Sequence, residues 1–85
     1  NLLLCTVYEG DLGRSDEYRD VLDSSKIMVS SFNDIVYKTG QKYNADVLEL
    51  REIFISEEDY ANPIEPSHIG GEKLAKSIVE WVNNG

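Results

Sequence analysis

Two side chains that could carry acid–base or nucleophilic chemistry occur once each in the 85 residues, His68 and Cys5. An imidazole titrates near neutral pH and could act as a general base. His68, however, falls in the first turn of a predicted helix, where its ring is expected to face solvent. Cys5 lies in an apolar run and is most simply a small core residue. A nucleophilic cysteine needs a base beside it, and only the fold could bring His68 there.

Glu65 is the carboxylate in the most favourable place for a site. It lies between Pro63 and Pro66, and each proline pushes the residue before it into extended geometry, so this segment cannot be helical. An extended loop of this kind suits the carboxyl edge of a sheet, where α/β proteins form their sites. A solvated loop carboxylate is the simpler interpretation of the same residue.

The acidic run Glu57-Glu58-Asp59 could in principle bind a hard cation. The spacing of a calcium-binding loop does not surround it, and acidic residues at a helix start already favour the helix dipole. Ser56 with Asp59 has the form of a capping box. No glycine loop that cradles phosphate is present. We therefore expect neither a metal nor a cofactor.

Composition predicts a folded acidic chain that is one small domain or a piece of a larger one. The net charge is -8 with 8 Lys and Arg, which argues against a nucleic-acid or anionic-membrane partner. The longest apolar run, Leu2 to Cys5, is too short for a membrane span or a signal peptide. A lone cysteine excludes an internal disulfide, so the cytoplasm is the default location. We interpret the start at Asn1, inside an apolar run, as a cut N-terminus.

Hydrophobic spacing predicts four main elements: a strand over 2–8, a helix over 25–42, a strand over 45–50 and a helix over 67–83. Both helices carry an apolar stripe that we expect to be a core face. The stripes comprise Met28, Phe32, Ile35, Val36 and Thr39 in the first helix, and Leu74, Ile78, Trp81 and Val82 in the second.

A strand, a helical crossover and a second strand make a βαβ unit, which is right-handed by strong precedent. Two strands alone are marginal in water, and strands that are apolar on both faces need neighbours. The predicted fold class is therefore α/β with parallel strands and an incomplete sheet. The chain is either the end of a larger doubly wound domain or a small interaction domain that a homo-oligomer completes.

The segment from Asn62 to Ala75, NPIEPSHIGGEKLA, resembles the last motif block of the SGNH, or GDSL-type, hydrolase superfamily. Its ungapped alignment rests on four positions: Pro66, Ser67, Gly70 and Ala75. Upstream, the segments 3–8, 31–35 and 47–51 are similar to the family's preceding strand, helix and next strand. The resemblance covers nearly the whole chain through short motifs.

This resemblance implies the C-terminal portion of a three-layer, flavodoxin-like α/β/α fold. It also implies serine-dependent hydrolysis of carboxylic esters, with a histidine base and an aspartate that orients it. The family's nucleophile and oxyanion blocks precede the matched region and are absent from this chain. Gly10-Asp11-Leu12 has leucine where the family's nucleophile block has serine.

The ungapped register puts Glu65 at the family's histidine position and Asn62 at its aspartate position, which is a departure from the pattern. A carboxylate of ordinary pKa is a poor base for a serine hydroxyl, and Asn62 could not stabilise an imidazolium. A rival register makes Glu65 the orienting acid and His68 the base, but it misplaces the glycine. Asn62, Glu65 and His68 are therefore the candidate site residues, and the nucleophile is absent.

Two functions follow from these residues. In the first, the chain is part of an SGNH-like esterase that acts on small-molecule esters and is inactive alone without its nucleophile. In the second, it is a pseudo-enzyme or binding module that keeps the scaffold after losing the catalytic histidine and aspartate.

Overall fold

The chain folds into a helix-rich α/β arrangement around a pair of short parallel strands, and the computed structural model describes residues 2–84. The strands are β1 (Leu3–Cys5) and β2 (Asp46–Leu48), with Leu4 opposite Val47. The helices are α1 (Leu22–Lys42), α2 (Leu50–Ile53) and α3 (His68–Asn84). Three 3₁₀ segments occupy Leu12–Arg14, Asp16–Val21 and Glu57–Asp59. The α/β class with parallel strands is confirmed, whereas the three-layer arrangement stays a prediction.

Both strands are shorter than the predicted ranges because side chains take over where the ladder would continue. The Thr6 backbone N–H still donates to Leu48 O at 3.0 Å, and the Thr6 hydroxyl then accepts the N–H of Leu50 at 2.8 Å. The Glu49 carboxylate accepts the N–H of Arg51 at 3.0 Å and thereby caps α2. A helix therefore begins directly after β2.

Both long helices begin at serine-capped segments. Ser15 accepts the N–H of Glu17 at 3.3 Å and opens the 3₁₀ segment that runs into α1, which begins three residues before the predicted start at 25. Ser67 accepts the N–H of Gly70 at 3.1 Å and thereby caps α3.

Gly40 lets α1 lie close against β2. A Cβ at Gly40 would lie 2.8 Å from Val47 Cγ2 and 3.2 Å from Ala45 O, so any side chain there would push the helix away from the strand. Although glycine weakens a helix, α1 continues past it to Lys42. The close approach of α1 to β2 therefore explains why glycine occurs at position 40.

An aromatic cluster forms the core on the side of α2. Leu50, Phe54 and Tyr60 are buried, and four half-buried apolar residues pack against them: Tyr8, Leu48, Ile53 and Leu74. The Tyr8 ring meets Phe54 edge-on with centroids 5.2 Å apart, a favoured aromatic geometry. This core joins the end of β1, α2, the start of the 60–67 loop and α3.

The prediction that the apolar stripes are core faces is wrong for most of their members. In α1, Met28, Phe32, Ile35 and Thr39 are exposed, and Val36 is the one predicted member that is half-buried. The face toward the sheet is a neighbouring stripe that Val36 shares with the half-buried Val29. In α3, Ile78 and Val82 are exposed, while Leu74 and Trp81 are half-buried.

Cys5 is also exposed, which corrects its assignment to the core. Cys5 lies at the end of β1, and only one edge of that strand is paired in a two-stranded sheet. The apolar residues beside Cys5 in the sequence therefore did not indicate that Cys5 itself is buried.

Candidate functional site

The loop over 60–67, which carries Asn62 and Glu65 before α3, is held closed by backbone pairing. Tyr60 and Pro66 form an isolated antiparallel bridge. Inside it, the Ala61 N–H donates to Glu65 O at 2.9 Å. The two prolines therefore sit in one tight, defined loop rather than in a free linker.

Asn62 uses its side chain to shape this loop. Its Oδ1 accepts the N–H of Ile64 at 2.9 Å and the N–H of Glu65 at 2.8 Å, which is the local pattern that favours asparagine in turns. The acceptor that an orienting aspartate would offer to a base is engaged with the backbone. Asn62 thus positions the Glu65 backbone.

The loop is seated on the carboxyl end of β1. The Asp11 N–H donates to Pro63 O at 2.9 Å. Gly10 makes this approach possible, since its φ of +79° suits glycine and an added Cβ would lie 2.8 Å from Pro63 O. Residues that follow β1 and residues that precede α3 therefore meet at the edge where α/β proteins bind ligands.

Two cavities open on either side of Pro63 and Ile64. One of about 460 Å³ is lined by Asn62 and Glu65 together with Arg14, Ser15, Glu17 and Tyr18. The other, of about 360 Å³, is mainly apolar and is lined by Val7, Tyr8, Glu9, Gly10, Leu12, Ser25 and Val29. The two positions of the ungapped register thus share one cavity, next to an apolar one of the size that small molecules occupy.

His68 lies apart from this arrangement. Its side chain is 88% exposed, and its Nε2 lies 3.0 Å from Glu72 Oε1 one turn along α3. The expectation that its ring faces solvent is confirmed. Among the ion pairs of residues 2–84, the carboxylate partner of His68 is Glu72, so the Glu65–His68 pair of the rival register is not formed there.

A polar cluster around Glu49 occupies the same edge of the sheet. Its Oε1 accepts the hydroxyl of Thr6 and the Nε of Arg51, both at 2.8 Å. Its Oε2 accepts the hydroxyl of Tyr37 at 2.6 Å and the Nη2 of Arg51 at 2.7 Å. One carboxylate thereby ties together the ends of both strands and α1.

These contacts fix the charge of the cluster. The Arg51 guanidinium, helped by the hydroxyls of Tyr37 and Thr6 and opposed by burial, holds the pKa of Glu49 far below its ordinary value. The hydrogen bond to that carboxylate raises the pKa of Tyr37 above its ordinary value. Glu49 is therefore a permanently charged anchor and is unsuited to act as a general base.

Titration of the Tyr37 hydroxyl should report its contact with the Glu49 carboxylate. We expect Glu49→Gln to lower the pKa of Tyr37 toward the ordinary 10.0, because the neutral amide no longer favours the protonated phenol. Absorbance near 295 nm, taken as the difference from Tyr37→Phe, would follow this tyrosine alone. Glu52→Gln, which removes a weaker influence on the same phenol, should shift the pKa much less. Equal shifts in both variants would contradict the Glu49 contact.

Asn33 pins the chain just beyond β1. It is 1% exposed, its Oδ1 accepts the Val7 N–H at 2.6 Å and its Nδ2 donates to Val7 O at 2.8 Å. The amide pairs with one residue as a neighbouring strand would. Asn33 therefore fixes the backbone that leads to Gly10 and the apolar cavity.

The sequence reasoning found the loop residues but missed Thr6, Asn33 and the Glu49 cluster. Thr6 and Glu49 each follow a strand directly, and the carboxyl ends of parallel strands lie at one edge. That placement is the signal that could have found them. The candidate site therefore comprises the Glu49 cluster, the loop over 60–67 and the two cavities beside that loop. This arrangement suits the binding of a small molecule.

Comparisons with protein-family profiles, curated proteins and solved structures find no match to this chain. Within residues 2–84, no group of three or more His, Cys, Asp or Glu side chains has the arrangement to hold a metal ion. In the same residues, no helix is long and apolar enough to cross a membrane.

Proposed function

We propose that the chain is the C-terminal part of an SGNH-like acyl-ester hydrolase domain. A segment outside these 85 residues carries the serine nucleophile, and the substrates are small-molecule esters. The observation that supports the proposal is that Asn62 and Glu65 line one cavity, in a loop that is hydrogen-bonded through Pro63 O to Asp11 in the segment after β1. The segments that follow the strands are where an α/β enzyme of this kind would assemble its site.

Within this proposal the two residues have different roles. Glu65 stands in the position of the base and lines the cavity, while Asn62 is a positioning residue that holds the Glu65 backbone. The Glu49 cluster and Asn33 hold the strand ends against which the loop is seated. The chain alone has no residue in the nucleophile position, and we expect it to be inactive.

Hydrolysis of p-nitrophenyl butyrate by the protein that carries this chain tests the proposal. We expect Glu65→Gln to lower kcat/KM by at least about tenfold, the lower end of the usual contribution of a general base. Glu80→Gln, which changes an exposed carboxylate on α3, is the matched control and should leave the rate unchanged. If the protein shows neither turnover nor labelling by a serine-directed phosphonate, the hydrolase proposal fails.

A non-catalytic binding module on the same scaffold is the second candidate. It is favoured by the Asn62 side chain, whose acceptor is spent on the loop backbone, and by the solvent-exposed His68. Saturable binding of an ester without turnover, measured by calorimetry, would support this function over the first.

A further inference from the structure

The helix α1 carries an uncovered apolar seam. Met28, Phe32, Ile35 and Thr39 recur at intervals of 4, 3 and 4 residues, and the three apolar members are 71%, 55% and 60% exposed. This spacing keeps them on one narrow stripe, the pattern of a helix that packs against another helix. We call these four residues the α1 outer seam.

The α1 outer seam is uncharged although the chain carries a net charge of -8. The lysines that flank the seam on one side already have partners. Lys38 pairs with Asp34 at 2.9 Å across one turn, and Lys42 Nζ lies 5.4 Å from the centroid of the Tyr43 ring. Covering the seam would therefore remove apolar side chains from water without burying an unpaired charge, which is the costly step in association.

The total surface of the chain indicates how much is left to cover. The accessible surface is 5965 Å², whereas the area expected for a folded monomer of 9.6 kDa is about 5,100 Å². The excess of roughly 900 Å² is close to the roughly 800 Å² that each partner buries in a stable interface of standard size. The chain thus exposes about one interface more than its mass requires.

We propose that a second copy of this chain covers the α1 outer seam, so that α1 packs against α1 of the partner across a two-fold axis. A two-fold interface uses the same patch on both subunits. A straight, uncharged stripe on one long helix meets that requirement directly. This inference concerns the chain itself and does not rest on the hydrolase proposal.

Sedimentation velocity of the 85-residue chain over a range of concentrations, with a reductant to prevent disulfides through the exposed Cys5, tests the dimer. We expect a species of about 19 kDa, twice the chain mass, to dominate by about 100 µM. Higher salt should strengthen it, because two copies of charge -8 repel each other and salt screens that repulsion.

Two lysine substitutions distinguish specific packing of the α1 outer seam from nonspecific hydrophobic association. Phe32→Lys should weaken dimerisation at least about tenfold, while Val79→Lys, at an α3 position of matching exposure, 56% against 55%, should leave it unchanged. Circular dichroism would show that both variants remain helical, and Ile35→Lys provides a second test of the seam.

Three results would overturn the dimer: a single 9.6 kDa species at every concentration, equal losses in the Phe32→Lys and Val79→Lys variants, or dissociation by salt. The first would mean that a second copy does not cover the seam. Esterase activity of the longer protein is measured separately, so the two proposals can fail independently.

Discussion

Replacing Gly70 by alanine should lower the free energy of unfolding by about 3 kcal/mol, at the upper end of the usual cost of overpacking. Gly70 is buried near the start of α3. Its added Cβ would overlap the carbonyl oxygen of Asp59 and lie 3.1 Å from the Phe54 ring. The Asp59 carbonyl cannot easily withdraw, because it accepts the Ser67 N–H at 2.8 Å.

The neighbouring glycine is the matched control. A Cβ at Gly71 would meet nothing within 4 Å, so Gly71→Ala should be neutral or stabilise the helix by up to about 1 kcal/mol through helix propensity. Urea unfolding followed by Trp81 fluorescence would measure both variants. Equal stabilities of the two alanine variants would show that α3 does not approach the 57–59 segment as closely as we describe.

The sequence contains the reasons for the secondary structure of this chain. Apolar spacing predicted the strand–helix–strand order and both long helices to within a few residues, because periodicity is a local property. The caps at Ser15 and Ser67 are equally local. The sequence shows Gly70 only as a motif position, whereas its physical role follows from the Asp59 carbonyl that lies against it.

Burial could not be predicted in the same way. The stripe of Met28, Phe32 and Ile35 indicated an apolar helix face, but a pattern within one helix does not say which of two adjacent stripes meets the sheet. Here Val29 and, of the predicted stripe, only Val36 face it, and the rest of that stripe is exposed. The error has a physical source, since covering a face depends on segments far away in sequence or outside the chain.

Only part of the site could be predicted, because a local sequence pattern does not report contacts between distant residues. Two prolines identified the loop of Asn62 and Glu65, because proline restricts its own neighbours. The cluster that joins Thr6 to Glu49 spans 43 positions, and no local pattern reports such a contact. Its residue types are ordinary, and only their placement after parallel strands links them.

The largest single loss of stability is expected at Asp59, which anchors the start of the site loop. The residue is 0% exposed. Its Oδ2 accepts the N–H groups of Ile55 and Ser56, each at 3.0 Å, and its Oδ1 lies 2.7 Å from Lys73 Nζ. We expect Asp59→Asn to cost about 3–5 kcal/mol at neutral pH, because it replaces hydrogen bonds to a charged acceptor, worth about 1.5–3 kcal/mol each, and turns an amide NH2 group toward other donors.

Lysine loss should be less severe than aspartate loss. Lys73 is 38% exposed, so Lys73→Met removes a partner that water also reaches, and the carboxylate keeps its hydrogen bonds to Ile55 and Ser56. Urea midpoints of the two variants at neutral pH would compare them. If Lys73→Met proved the more damaging change, the ammonium rather than the carboxylate would be the anchor.

The contribution of Asp59 to the free energy of unfolding should decrease in acid. Burial acts to raise the pKa of this carboxyl, but the Lys73 ammonium and the N–H groups of Ser56 and Ile55 outweigh it and hold the pKa below its ordinary 3.8. A lowered pKa stabilises the fold at pH values above the ordinary one, and this stabilisation is lost as the pH falls through the folded-state pKa.

The difference in unfolding free energy between the unmodified chain and Asp59→Asn should therefore be full at pH 7 and shrink progressively below about pH 4. Asparagine does not titrate, so the variant lacks this acid-sensitive contribution while other carboxylates titrate in both proteins. Urea unfolding of the pair at several pH values measures the difference directly. A difference that stayed constant into acid would mean that shape, and not the charge of Asp59, holds the loop against α3.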